Sequence, residues 1–139
     1  MKRFAFRLER ILSYRRAMAD LEHARLQRIE NEVASRRANL ERLNVDFAME
    51  VARASPDSPS RAELGRYRRF VEAERIRLRT RIAEKEVELR QQREIYNRAN
   101  QGAEVLNKVK LKQKKIWESE LQKELDSLAM DSYLSRWKQ

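Results

Sequence analysis

Both prolines of this chain fall in one short string, Ser55-Pro56-Asp57-Ser58-Pro59-Ser60, and the two glycines follow it at Gly65 and Gly102. Proline costs about 3 kcal/mol inside a helix and glycine about 1, so long stretches without them permit uninterrupted helices. The punctuation predicts a hairpin of two unequal helices, over residues 7–54 and 61–136, joined by a turn at 55–60. At 1.5 Å per residue these helices would be roughly 70 and 110 Å long. A turn so far off-centre leaves the end of the second helix without a partner.

Heptad spacing supports the pairing. Leu12, Ala19, Leu26, Val33, Leu40 and Phe47 recur every seven residues in the first arm, with Leu8, Ile29 and Leu43 at the second apolar position. This is the seam of a coiled coil. Arg15, Glu22, Arg36 and Glu50 interrupt it, and are expected to lay their stems on the seam while their heads stay wet. The second arm opens on a capping box, Ser60 with Glu63. Its apolar series runs Leu64, Tyr67, Val71, Leu78, Ile82, Leu89, Tyr96, Ala99, Ala103, Leu106, Val109. The register drifts at Leu78–Ile82, and Ala99, Gly102 and Ala103 suit a close helix approach. The fold class is all-α: a single antiparallel coiled-coil hairpin over residues 1–139.

Composition agrees. The chain is 39% charged and 41% apolar, a mixture expected of long helices. No run nears the ~20 apolar residues that span a bilayer. The start, Met1 to Arg7, is basic but leads into no apolar stretch, which argues against a cleaved secretory signal. The lack of cysteine fits a cytosolic protein and offers no thiolate metal site.

The net charge of +10 is unevenly spread. Basic residues dominate 1–28, 61–81 and the Lys108-to-Lys115 group, whereas 116–135 hold five acids against Lys123. A nucleic-acid-binding arm is one reading of Arg61, Arg66, Arg68, Arg69, Arg75, Arg77, Arg79 and Arg81, with Tyr67 and Phe70 to stack on bases. Interleaved Glu72 and Glu74 and the acidic end dilute that field, and no nucleic-acid motif is present. Catalysis has little to stand on. His23 is the only histidine and falls on a solvent-facing position, no glycine-rich phosphate loop exists, and Glu84, Glu86 and Glu88 alternate with bases as intrahelical ion pairs would. No enzyme activity, metal or cofactor is expected.

Beyond about Leu106 the second helix outruns the first, yet it carries Ile116, Trp117, Leu121, Leu125 and Leu128, then Tyr133, Leu134 and Trp137. Such an exposed stripe marks an interaction site unless it bends back or pairs with another copy. A generic self-associating coiled coil is therefore a further reading.

The opening string Phe4-Ala5-Phe6-Arg7-Leu8-Glu9-Arg10-Ile11-Leu12-Ser13-Tyr14-Arg15 resembles FliJ, the coiled-coil component of the flagellar type III export apparatus. Tyr67-Arg68-Arg69-Phe70 just past the turn and Lys123-Glu124-Leu125-Asp126-Ser127-Leu128-Ala129 near the end are similar to two further family segments. The resemblance implies a non-catalytic stalk, adaptor and export chaperone. It would contact the hexameric export ATPase, FliI-like, through Phe4, Phe6, Arg7, Leu8, Ile11, Tyr14, Trp117, Leu121, Leu125 and Leu128. It would contact the cytoplasmic domain of the export gate, FlhA-like, through Leu43, Phe47, Tyr67 and Phe70. Other implied partners are export chaperones, with no nucleic acid. The implied location is the cytoplasm, at the inner-membrane face through the export apparatus.

Overall fold

The computed structural model describes residues 2–54 and 61–138, so the expected turn and the Ser60 capping box lie outside the described residues. Helix α1 runs Glu9–Arg53 and α2 runs Arg61–Trp137, 45 and 77 residues. Both agree with the expected bounds to within two residues. Among the described residues there is no strand, and the fold is an all-α hairpin of two unequal helices. The chain divides into two compact units: Leu21–Tyr96 forms one, and Met1–Asp20 with Asn97–Gln139 forms the other.

In the unit Leu21–Tyr96 the helices run antiparallel, since rising positions on α1 meet falling positions on α2. Glu22 meets Gln92, Glu32 meets Lys85, and Asn44 meets Arg75. The expected seam residues Leu26, Ile29 and Val33 are buried, as are Val71 and Ile82. Toward the breaker the seam thins: Leu40, Leu43 and Phe47 are only half-buried.

The seam also holds polar residues that the apolar series passed over. Lys85 and Gln92 continue the three-and-four spacing of Ile82, Leu89 and Tyr96, and they lie half-buried and buried. Glu22 does not keep a wet head: it is 7% exposed. Gln92 Nε2 donates to the Glu22 carbonyl oxygen at 3.2 Å and to its Oε2 at 2.5 Å. Arg25 supplies the other carboxylate oxygen at 2.9 Å. Burying this carboxylate costs little because both oxygens are satisfied.

In the other unit, Phe6, Leu12, Ala19 and Ala103 form the core. The chain enters α1 through a tight turn in which Glu9 N–H donates to the Phe6 carbonyl at 3.1 Å. Residues 2–6 lie outside helix. Here too a lysine takes a seam position: Lys110 Nζ meets the Glu9 carboxylate at 2.8 Å, while Val109, expected in the seam, lies at its edge, 38% exposed. Arg15 does keep an exposed head, and Nη1 donates to the Gly102 carbonyl at 3.1 Å.

Candidate interaction surfaces

The first surface belongs to the unit that contains both termini. Helix α1 begins at Glu9, so the segment ahead of it is free to run along α2. Phe4 packs on Trp117 with ring centroids 5.8 Å apart, and Trp117 Nε1 donates to the Lys2 carbonyl at 3.2 Å. Beside them Lys2, Trp117, Glu120, Leu121 and Glu124 line a hollow of about 250 Å³. The helical overhang expected beyond Leu106 is thus partly covered, first by Lys110 against Glu9 and then by the segment before α1.

The expected ATPase-contact residues separate into three groups. Phe6 is buried and half-buried Leu8 lies beside it, so Phe6 belongs to the core and offers no contact surface. Phe4, Trp117 and Leu121 are half-buried where the N-terminal segment meets α2. Arg7, Ile11, Tyr14, Leu125 and Leu128 are exposed. Tyr133, Leu134 and Trp137, grouped by sequence with the Leu121 stripe, occupy the other side of α2. At 100° per residue they sit 120° to 220° around from Leu121, and Leu125 and Leu128 lie within about 40° of it.

The second surface lies in the unit Leu21–Tyr96. Tyr67 takes the middle of an aromatic run, with its ring 5.9 Å from Phe47 and 6.5 Å from Phe70. Three of the four expected gate-contact residues are therefore brought together; the fourth, Leu43, is half-buried one helical turn before Phe47. Phe70 is 57% exposed, the most exposed ring of the run. Arg75 caps the cluster, with its guanidinium 5.1 Å from the Phe47 centroid. The same side chain donates to Asn44 Oδ1 at 2.7 Å and to Glu72 Oε1 at 2.6 Å. Nearer the breaker, Glu50, Arg53, Ala54, Glu63, Leu64 and Tyr67 line a hollow of about 370 Å³.

These contacts alter the other sequence expectations. Arg75 and Arg77 pair with Glu72 and Glu74, which offsets part of the positive charge on the arginine-rich face, and Arg69 Nε donates to the Gly65 carbonyl. Glu86 pairs across the helices with Arg37, and so is not part of an intrahelical pair, whereas Glu88 meets Lys85 one turn away. His23 is exposed as expected, but its ring packs 5.0 Å from Tyr96. Among the described residues no cluster of three or more His, Cys, Asp or Glu could hold a metal ion, and no helix is long and apolar enough to cross a membrane.

No family model, no curated protein and no solved structure matches the chain, so the FliJ resemblance rests on the three strings quoted above.

Proposed function

We propose that this chain is a non-catalytic stalk or adaptor, and an export chaperone, of a flagellar-type type III export system. In this reading the Phe4–Trp117 surface docks on the hexameric export ATPase and the Phe47–Tyr67–Phe70 surface on the cytoplasmic domain of the export gate. It would act in the cytoplasm, at the inner-membrane face through those partners.

The observation that carries the reading is the seating of the N-terminal string. Phe4, which opens the string that resembles FliJ, and Lys2 before it lie against Trp117 of α2, so the N-terminal segment and the overhang form one surface. The aromatic run in the other unit offers a second, chemically different surface: Phe70 is exposed, and Arg68 and Arg75 lie over the Phe47 ring. An adaptor with two partners needs two such patches, and buried aromatic anchors supply much of the binding energy of an interface.

The test is reconstitution with the ATPase and gate domain of the source cell. Trp117→Ala with Leu121→Ala is expected to weaken ATPase stimulation at least about tenfold, the loss of a 1.4 kcal/mol anchor. Phe70→Ala should leave stimulation intact and reduce capture of the gate domain. Unchanged stimulation in the first variant, with helicity preserved, rejects ATPase docking.

A further inference from the structure

Two apolar stripes in the unit that contains the termini are exposed over a third to two thirds of their side-chain surface. One lies on the outer face of α1: Ile11, Tyr14 and Met18, spaced three and four apart and 46%, 65% and 36% exposed. The other continues the Leu121 face of α2 through Leu125 and Leu128, 48% and 64% exposed. Their flanks carry opposite charge. Arg10 lies about 40° around α1 from Tyr14, and Arg7 precedes it in the turn that leads into the helix; neither forms an ion pair among the described residues. Glu124 and Asp131 lie within about 90° of Leu121 on one flank of the α2 stripe, and neither forms an ion pair among the described residues.

We infer that a second copy of this chain covers both stripes at once. The acidic segment 116–135 of each copy lies on the basic side of the other's α1, so the two contacts are related by a two-fold axis.

Three considerations favour this occupant. First, complementarity exists within one chain: an apolar stripe edged with carboxylates is matched by one edged with guanidiniums, at the same three-and-four spacing. Second, the rival symmetric pairing, overhang against overhang, brings two acidic segments together, since residues 116–135 hold five acids against one lysine. Like charges in that position cost several kcal/mol of specificity. Third, size requires reciprocity. One stripe of three or four side chains falls short of the roughly 1,200 Å² that a stable interface buries, and an isologous pair doubles the contact. The overhang stripe also extends the seam face of α2, so the vacant place beside it suits another helix.

This inference concerns the isolated chain and does not rest on the export reading, so each can fail alone. Sedimentation equilibrium of the full chain at micromolar concentration should give twice the 16.7 kDa chain mass. The dimer should weaken at least about tenfold between 50 and 500 mM salt, because exposed charges are screened within a few ångströms at the higher value. Glu124→Lys with Asp131→Lys should give monomers, as should Arg7→Glu with Arg10→Glu. All four changes on one chain restore opposite signs across the contact and should restore the dimer. Leu125→Ser with Leu128→Ser should be monomeric at unchanged helicity, as both side chains are already exposed. A monomer up to ~100 μM at low salt overturns the inference and leaves the stripes to a partner of another kind. A dimer indifferent to the reversals, or a fourfold variant that stays monomeric, overturns it as well.

Discussion

Gly65 and Gly102 sit inside α2 at ordinary negative φ, so neither position needs a glycine for its backbone. A Cβ built at Gly65 meets nothing within 4 Å. At Gly102 it meets Arg15 Nη1 at 3.6 Å and Cδ at 3.8 Å, both ordinary contacts. Alanine is therefore expected to stabilise at each site, by up to ~1 kcal/mol from helix propensity. Melting followed by circular dichroism should show a rise of about 3 °C for each variant. A gain at Gly65 with a loss at Gly102 would mean that the Arg15 hydrogen bond to the Gly102 carbonyl tolerates no added methyl. The close helix approach inferred from Ala99, Gly102 and Ala103 thus takes a specific form, with an arginine lying across the glycine. Gln92 stands at the opposite extreme. It donates twice to Glu22, and Gln92→Ala strips a buried carboxylate of a donor, at a cost of about 1–3 kcal/mol. A variant as stable as wild type in urea would mean that water replaces the amide.

Along each helix, regular spacing was the readable part and polar seam positions were not. The absence of Gly and Pro before Ser55 located α1, and the seven-residue recurrence from Leu12 to Val33 located the side it buries. Phe6 belongs to a string that resembles a docking motif, yet the turn into α1 folds its ring inward, which no spacing signals. Lys85, Gln92 and Lys110 were missed because an apolar series skips them, although their spacing fits the seam. Each is opposite an α1 carboxylate, and only the pairing of the two helices reveals that. The Lys85 clamp yields a pH prediction. Lys85 Nζ lies 2.7 Å from Glu32 Oε2 and 2.9 Å from Glu88 Oε2. Its hydrogen bond and charge hold the Glu32 carboxyl below the usual range, helped by Arg28 and Arg36. The hydrogen bonds that Lys85 donates to Glu32 and Glu88 in turn raise its own pKa. A lowered carboxylate contributes stability above its ordinary value of about 4.3 and loses it as pH falls through the lowered one. A raised lysine contributes fully below about 10.4 and loses that as pH rises through the raised value. The melting difference between wild type and Lys85→Met should be level from about pH 5 to 9 and shrink at both extremes. A difference constant from about pH 3 to 11 would assign the effect to the lysine stem's packing rather than its charge.

Taken as a whole, the molecule buries little for its mass. Its accessible surface is 11534 Å², whereas a compact monomer of its 16.7 kDa would expose roughly 7,600 Å². Against about 24,000 Å² for the extended chain, folding hides roughly three quarters of what a compact domain hides. Within each unit the helical segments pack along a single seam, so side chains such as Ile76, Val105 and Ile116 stay more than half exposed. Denaturant sensitivity scales with the surface uncovered on unfolding. The urea m-value should accordingly be about three quarters of that of a compact 139-residue domain. Dimerisation would add its own buried area, so the monomeric Glu124→Lys, Asp131→Lys variant is the one to measure. An m-value equal to the compact standard in that variant would mean that the exposed apolar side chains are covered within the free chain. That outcome would remove the physical basis for assigning them to partners. A value near three quarters, rising in wild type with protein concentration, would connect the thin seam to the second copy through one measurable area.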